Sequence, residues 1–255
     1  MTFYIAGAGG FGRETLDALR ASSDPGPVEF LDDCTDRAVV DGVPVRRPSE
    51  AGPGAFVVAI AHPQARQRIA AMLQARGLTP ASVIHPRAVI SPGAALGDGC
   101  VVLANAFIST GTTLGAHVHV NYNVTIGHDA VLGDFVTVLP GANVAGAVTL
   151  AAQVTIGSNA CVLQGLHIAL AATVGAGAVV TRDQPSGIVV VGVPARPLPA
   201  TAVTMPPSSN NLEERLRLSR KCRSMRRRFR VSRPALVASR CRGRAGGCPP
   251  SRSHR

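Results

Sequence analysis

Tryptophan is absent from this chain of 255 residues, and aromatic residues make up only 4% of it. A core built from Val, Ile, Leu and Ala favours a repetitive β architecture over a large mixed domain, which usually contains several aromatic rings. No run of 18 apolar residues occurs, so we expect no membrane-spanning helix. The first residues lack the basic segment and apolar run of a signal peptide, and we therefore expect a soluble, cytoplasmic protein.

Paired cysteine motifs are also missing. The six cysteines are scattered along the chain, at Cys34, Cys100, Cys161, Cys222, Cys241 and Cys248. This spacing matches neither a disulfide framework nor a zinc site of the CxxC type. We expect reduced thiols, as is usual in the cytoplasm.

The positive net charge of +11 is confined to one end of the chain. Residues 1–200 contain 11 basic and 13 acidic side chains, whereas residues 201–255 contain 15 basic and 2 acidic ones. The basic tail is rich in Pro, Ser and Arg and is expected to be disordered apart from one short basic helix. It lacks interleaved aromatic residues, so no nucleic-acid partner is expected, and contact with anionic surfaces stays open beside a dispensable extension.

Residues 1–80 alternate between apparent strands and helices, which predicts a small α/β domain. Gly7, Gly9 and Gly12 form a GxGxxG motif between a strand and a helix, and Asp32 ends the next strand 20 residues later. Bare amides at a helix N-terminus attract phosphate. Because about 80 residues are too few for a two-half dinucleotide fold, the motif predicts a half-Rossmann domain for one nucleotide. The alternative is a glycine turn required only for packing.

Residues 81–200 follow a different rule. From Val83 to Gln184 the chain divides into 17 consecutive hexads without an insertion, and the second residue of each hexad is Ile, Leu or Val. This period predicts a triangular parallel β-helix with one hexad per side and the branched residue pointing inward. Residues 185–200 leave the repeat and are expected to cap its open end.

Stacking of three hexads per coil brings residues 18 apart above one another. Thr110, His128, Gly146 and Gln164 should therefore form one column at a turn, with Asn121 one side earlier. A histidine at a turn faces outward, and a neighbouring glycine exposes its backbone amide, which resembles a base beside an oxyanion donor. The alternative is a solvent-facing histidine without a role.

Six segments follow one another along the chain in an order that is typical of one enzyme family: "IAGAGGFGRE", "FLDD", "NYNVTIGHDAVLGDF", "PGANVAG", "GAGAVVTRD" and "VGVPARPL". Over residues 3–198 the chain resembles hexapeptide-repeat acyltransferases of the sialic-acid O-acetyltransferase and nucleotide-aminosugar N-acetyltransferase group (NeuD/PglD-like). The resemblance implies a left-handed β-helix, a homotrimer with active sites between subunits, and acetyl-CoA bound along the groove.

The resemblance also implies roles for individual residues. His128 matches the general base, Asp129 its acidic support, Gly146 the glycine whose amide contacts the thioester, and Asn121 a substrate-side asparagine. The family commonly has a second histidine nine residues after the base, where this chain has Thr137. A threonine hydroxyl could still bind the thioester, but this departure puts acyl-donor preference or rate in doubt.

Two further groups of ligand contacts are implied. Arg182 and Arg196 lie where the family has basic residues near the CoA phosphates, with a solvated surface role as the alternative for each. On the nucleotide side, the diphosphate is expected on the glycine loop of Gly7, Gly9 and Gly12. The base or ribose is expected near Asp32 and Asp33, and the sugar or phosphate near Phe11 and Arg13.

The remaining histidines and cysteines raise two other kinds of site. His117, His119 and His128 suggest a zinc site, but in the stacking scheme His119 lies next to Thr137 and points away from His128, so we assign no metal. Cys161 has only Asn143 and Val179 as stacking neighbours, which favours a packing role over a nucleophile.

The resemblance, taken with these residues, implies an acetyl-CoA-dependent N-acetyltransferase acting on a nucleotide-linked amino sugar of the 4-amino-4,6-dideoxy type. His128 would act as general base in a direct attack on the thioester. One alternative is O-acetylation of a sugar such as sialic acid. Another is a non-catalytic scaffold that binds nucleotide sugars.

Overall fold

The computed structural model describes residues 1–22 and 25–198. The basic tail and the last two residues of the expected cap lie outside the described residues. Neither helix within the described ranges is long and apolar enough to cross a bilayer.

The first part of the chain is a six-stranded sheet with two helices. Its elements are β1 (Thr2–Ala6), α1 (Gly10–Ser22), β2 (Val28–Leu31), β3 (Val39–Val40), β4 (Val43–Arg46), a 3₁₀ helix (Pro48–Glu50), β5 (Gly54–Val58), α2 (Pro63–Ala75) and β6 (Thr79–Pro80). The strand order is β3-β4-β2-β1-β5-β6, and all pairs except β3–β4 are parallel. This is the predicted half-Rossmann arrangement, with β1 at the centre.

Local sequence explains how these elements begin and end. Ile5, Phe30 and Val57 are fully buried, as expected for parallel strands covered on their faces. Pro63 occupies the first turn of α2, and the His62 side chain accepts a hydrogen bond from the backbone amide of Ala65. Gly77, with φ of +82°, reverses the chain after the helix.

The second part is a parallel β-helix of two-residue strands. They are β7 (Val83–Ile84), β8 (Val89–Ile90), β9 (Ala95–Leu96), β10 (Val101–Val102), β11 (Phe107–Ile108), β12 (Thr113–Leu114), β13 (His119–Val120), β14 (Thr125–Ile126), β15 (Val131–Leu132), β16 (Thr137–Val138), β17 (Asn143–Val144), β18 (Thr149–Leu150), β19 (Thr155–Ile156), β20 (Cys161–Val162), β21 (His167–Ile168), β22 (Thr173–Val174) and β23 (Val179–Val180). They form three sheets that run along the three sides of a triangular coil.

Each strand pairs with the strand 18 residues further on, as Thr125 pairs with Asn143 and Ile126 with Val144. The second hexad position points inward, and from Val102 to Val180 each of these residues is at most 2% exposed. Burial of one such aliphatic side chain contributes about 1.5–3 kcal/mol, so the repeated pattern supplies the core. The predicted fold class is confirmed.

The corners of the coil impose a second pattern. From Gly99 to Gly177, the fifth residue of each hexad has a positive φ, including His117, Asn123 and Asp129. Gly, Asn and Asp adopt this left-handed conformation most easily. The hexads therefore specify both the inward residue and the turn.

The half-Rossmann domain covers one side of the β-helix, which we call the covered face: strands β7, β10, β13 and β16. The outward residues of these strands are Val83, Val101, His119 and Thr137, and each is at most 1% exposed. On the other two sides the outward position stays open, as at Phe107, which is 45% exposed. The domain therefore docks on one side of the first coils.

The C-terminal end is closed by two strands. β24 (Val189–Val191) pairs in parallel with β22, and β25 (Arg196–Pro197) pairs antiparallel with β24. The change of direction ends the parallel ladder, and the capping role of this segment stays a prediction.

Candidate active site

His128 and Asp129 form a hydrogen-bonded pair at the turn after β14. The distance from His128 Nδ1 to Asp129 Oδ2 is 2.8 Å, and the two side chains are 54% and 67% exposed. An ionised carboxylate only accepts hydrogen bonds, so in the neutral form of the ring Nδ1 carries the proton and Nε2 keeps its lone pair. The pair thus has the tautomer that a general base requires.

Gly146 lies directly against the His128 ring. A Cβ atom at residue 146 would lie 2.5 Å from His128 Nε2, so any larger residue would displace the imidazole. The Gly146 carbonyl accepts from the amide of Gly165, whereas its own N–H donates to no other described residue. A free amide beside a basic nitrogen can stabilise a developing oxyanion.

Asp129 is held on the opposite side by another glycine. A Cβ atom at Gly111 would lie within 2.5 Å of Asp129 Oδ1, and the Asp129 amide donates to the carbonyl of Thr110. The left-handed backbone of Asp129 directs its carboxylate back to His128. Two glycines, one coil before and one coil after, therefore leave room for the pair.

Asn121 is 4% exposed and lies on the covered face at the end of β13. Its side-chain amide donates to the carbonyl of Val138. That bond fixes the orientation of the side chain and leaves its carbonyl oxygen for another group. A substrate contact by Asn121 stays a prediction.

Thr137 does not lie in an open groove, which corrects the expectation that its hydroxyl contacts the thioester. The residue is 1% exposed. Its hydroxyl accepts from Arg66 Nη2 at 2.9 Å and donates to the carbonyl of Ala61 at 3.1 Å. The physical reason is that Thr137 belongs to the covered face, where both hydrogen-bonding functions of the hydroxyl are used by the half-Rossmann domain.

Arg66, which the sequence did not single out, is fully buried between helix α2 and the covered face. Its guanidinium donates to neutral groups: the carbonyls of Ile60, Ala61, His117, Phe135 and Val136, the Thr137 hydroxyl and the His119 ring. Burial lowers the pKa of Arg66 to about 9. The side chain nevertheless remains largely a cation at neutral pH.

Burial also keeps the neighbouring His119 neutral. Arg66 has no lone pair, so His119 Nδ1 accepts its hydrogen bond at 3.2 Å, and Nε2 donates to the carbonyl of Val58 at 2.9 Å. Burial, and then the charge of Arg66, hold the pKa of His119 well below its usual range. Both ring nitrogens are thus occupied.

His117 stacks on the ring of Phe135, with centroids 5.2 Å apart, and on that of Phe56. Burial, and then the charge of Arg66, lower its pKa. Its Nδ1 is buried and has no hydrogen-bond partner in the part of the chain that the structure describes. His117 and His119 are buried while His128 is exposed, so the three do not converge as zinc ligands would.

The three glycines of the GxGxxG motif serve different ends. A Cβ atom at Gly12 would collide with the carbonyl oxygen of Gly7, and Gly7 has φ of +109°. These two glycines are therefore required by the strand–helix packing itself. A Cβ atom at Gly9 would have no other atom within 4 Å. Gly9 is open to solvent, so its backbone is accessible to a phosphate.

Asp32 stabilises this loop from the next strand. One carboxylate oxygen accepts from the Ala8 amide at 2.8 Å and the other from the Cys34 amide at 2.7 Å. Beside it a cavity of about 380 Å³ is lined largely by charged side chains, among them Asp33, Asp36, Arg37 and Arg47. Asp32, Asp33 and Cys34 bring possible ligand atoms within 4.8 Å of one another, but the amide contacts of Asp32 already explain that arrangement.

Phe11 and Arg13 have partners within the protein. The Phe11 ring lies 4.8 Å from that of His119, between the glycine loop and the covered face. Arg13 Nε donates to Asp41 at 2.6 Å in an exposed ion pair. Such a pair is weakened by solvent, so a diphosphate could compete for Arg13. Their sugar or phosphate contacts stay predictions.

Arg182 extends the column of His128. It occupies the same hexad position three coils further on, after Gly146 and Gln164, and is exposed. Arg196 lies on the capping strand β25 and is also exposed. Neither forms an ion pair with another residue in the described ranges, so both charges are available to a ligand.

Comparison with known proteins decides the family. A family model described as the PglD N-terminal domain matches residues 2–73. The acetyltransferase domain of PglB from Neisseria gonorrhoeae FA1090, in complex with acetyl coenzyme A, is 35% identical with a TM-score of 0.74, covering 77% of this chain and 98% of that one. This chain belongs to the NeuD/PglD-like acetyltransferase group.

Two other members of this acetyltransferase group carry a named acceptor. A histidine-to-alanine variant of GDP-perosamine N-acetyltransferase from Caulobacter crescentus, in complex with CoA and GDP-perosamine, is 32% identical with a TM-score of 0.73, covering 78% of this chain and 97% of that one. GDP-perosamine N-acetyltransferase from Escherichia coli O157:H7 is 35% identical over 128 residues, covering 46% of this chain and 58% of that protein. The second match thus spans somewhat more than half of that relative.

The lowered pKa values of His117 and His119 predict how the stability of this acetyltransferase depends on pH. As pH falls below about 6.5, these histidines take up protons in the unfolded state before they do so in the folded state, so the free energy of unfolding should decrease. Above about pH 7.5 the two histidines should make no pH-dependent contribution to the free energy of unfolding. The slope should reach up to about 1.4 kcal/mol per pH unit for each histidine. Urea denaturation between pH 8 and pH 5 measures it.

The matched variants are His119→Gln and His167→Gln. The first removes one buried titrating group and should lose about half of the acid slope. The second changes an exposed histidine on β21 and should keep the slope of the wild type. An acid slope that is unchanged in His119→Gln would contradict the assignment.

Proposed function

We propose that this chain is an acetyl-CoA-dependent N-acetyltransferase acting on a nucleotide-linked amino sugar of the 4-amino-4,6-dideoxy type. The observation that carries the proposal is His128, whose Nδ1 is bonded to Asp129 and whose Nε2 lies where a Cβ atom at Gly146 would come within 2.5 Å. The N-acetyltransferase names of the Escherichia coli and Caulobacter crescentus relatives support an amine acceptor.

In the proposed reaction the sugar amine attacks the thioester carbonyl directly. His128 Nε2 takes the proton that the amine loses, and Asp129 stabilises the resulting imidazolium. The Gly146 amide donates to the oxyanion of the tetrahedral intermediate. Collapse of the intermediate breaks the C–S bond, and the leaving CoA thiolate takes the proton from the His128 imidazolium, which returns the base to its neutral form. No acyl-enzyme is needed, and Cys161 has only Asn143 and Val179 beside it in the sheet.

The nucleotide is proposed to bind on the half-Rossmann domain. The accessible backbone around Gly9 at the start of α1 suits a diphosphate. The charged cavity beside Asp32 and Asp33 has room for the base or ribose. Phe11, between the glycine loop and His119, then lies on the path from the nucleotide to the β-helix.

Acetyl-CoA is proposed to lie along the column of His128. Coils repeat at about 4.8 Å, so three steps separate His128 from Arg182 by about 14 Å. The pantetheine arm would pass Gly146 and Gln164, and Arg182 would meet the phosphates. Arg196, on the capping strand, is the second candidate for this contact.

The assembly and its location are also inferred. We infer a homotrimer in the cytoplasm, with nucleotide sugar and acetyl-CoA as the ligands and no resident metal. Support for the trimer comes from Val89, Phe107 and Val131, which are 45–54% exposed on the two sides that the half-Rossmann domain leaves open.

O-Acetylation of a sugar such as sialic acid, and a scaffold that binds nucleotide sugars without turnover, are the alternatives. Thiol release from acetyl-CoA, measured with UDP-, GDP- and dTDP-linked amino sugars and with CMP-sialic acid, separates them. Turnover with an amino sugar supports the proposal, turnover with sialic acid alone favours O-acetylation, and nucleotide binding without turnover favours the scaffold.

Replacement of His128 by alanine should lower kcat by about 10²- to 10⁴-fold, because the proton acceptor is lost. The thiol-release assay measures the change. The control is His167→Ala, an exposed histidine on another side of the coil, which should keep wild-type kcat. Equal loss in both variants would argue against His128 as the base.

Replacement of Gly146 by alanine should lower kcat by roughly 10²-fold, because the new methyl group displaces the His128 ring from the acceptor. Its thermal unfolding midpoint should stay close to that of the wild type, since an exposed ring can move into solvent. Gly52→Ala, where a Cβ would make only ordinary contact, is the control for both readouts. Wild-type kcat in Gly146→Ala would contradict the arrangement.

Replacement of Arg182 by alanine should raise the KM for acetyl-CoA roughly tenfold, with little change in the KM for the nucleotide sugar. The effect should weaken at high ionic strength, because both partners are exposed. Arg68→Ala removes an exposed arginine from α2 and serves as the control. A rise confined to the nucleotide-sugar KM would refute this placement of CoA.

A further inference from the structure

The guanidinium of Arg66 connects the two parts of the chain through neutral groups alone. Within its own domain it donates to the carbonyls of Ile60 and Ala61, at 2.8 Å and 3.0 Å. On the β-helix it reaches the carbonyls of two neighbouring coils and one hydroxyl, at His117, Phe135, Val136 and Thr137. One side chain therefore bonds to residues more than 50 positions away along the chain.

Its charge has no carboxylate partner within the described residues. A buried cation is costly unless its donors are satisfied, and here all of them point at oxygen or nitrogen acceptors. The acceptors lie on both domains, so a shift of one domain would break several of these bonds at once. The arrangement therefore favours one docked position of the half-Rossmann domain.

The same network joins the glycine loop to the coils that carry His128, without touching His128 itself. At one end, His119 accepts from Arg66 and lies against Phe11 of the glycine loop. At the other end, Arg66 is bonded to Thr137, nine residues after His128 and on the next side but one of the coil. The position of the glycine loop relative to the coil of His128 thus depends on these contacts.

We propose that Arg66 is a positioning residue, which acts through His119 and Thr137 to hold the nucleotide-binding loop at a fixed place relative to His128. This inference rests on the proposed function. Arg66 contacts no reacting atom and does not extend into the His128 column. Its loss should therefore impair use of the nucleotide sugar and leave binding of acetyl-CoA intact.

The test uses Thr137→Val and Thr137→Ser in the full chain, because loss of Arg66 itself could prevent folding. Valine keeps the shape of threonine but removes both bonds of the hydroxyl, whereas serine keeps them. We expect Thr137→Val to lower kcat/KM for the nucleotide sugar about tenfold, with the KM for acetyl-CoA changed less than about twofold. Thr137→Ser should restore most of the wild-type value. Arg66→Lys should resemble Thr137→Val, because lysine has fewer donors in a different geometry.

The readouts are steady-state kinetics with each substrate varied, using the nucleotide sugar that the wild type turns over, and the thermal unfolding midpoint. Equal changes in the kinetics of both substrates, or a lower midpoint with unchanged kinetics, would mean a purely structural role and would overturn the proposal. Failure of Thr137→Ser to restore activity would overturn it as well. If the wild type turns over none of the nucleotide sugars, the proposed function itself fails and the positioning role falls with it.

Discussion

The 18-residue register between successive coils is the constraint on which the site depends. Backbone hydrogen bonds between parallel two-residue strands set it, and the inward aliphatic residues keep it, since a slip by one residue would turn them outward. Because of this register, Gly111 and Gly146 lie on either side of the His128–Asp129 pair. The exposed catalytic candidates are thus positioned by a core that they do not contact.

A second kind of interaction joins the nucleotide half to this frame. The covered face is held by apolar packing, as at Val101, and by a buried cation that bonds only to neutral acceptors. Apolar packing tolerates small shifts, whereas the directional bonds of Arg66 do not. The two parts of the chain can therefore be expected to act as one unit when the acceptor is brought to the acyl group.

Sequence alone was sufficient for the repeat, because each hexad carries its own inward residue and turn. It also predicted the column of residues that contains His128. It could not predict the burial of Arg66, since arginine in an amphipathic helix is normally exposed and only docking on the covered face explains it. The expectation for Thr137 was wrong because the sequence does not show which side of the coil the half-Rossmann domain covers. Thr137 and Phe107 occupy the same position in their hexads, yet Thr137 is buried and Phe107 is exposed. The left-handed fifth position could have been found, because Gly, Asn or Asp recur there.

The central claim is direct transfer of an acetyl group to an amine with His128 as base. The most direct measurement is mass spectrometry of an acid-quenched reaction of wild-type protein with acetyl-CoA and a nucleotide-linked amino sugar, before and after mild alkaline treatment. The account predicts one added acetyl group on the nucleotide sugar that survives the base, and no acetyl group on the protein. An acetyl group that mild base removes would indicate an ester, and an acetylated protein would indicate a covalent intermediate; either result would contradict the claim.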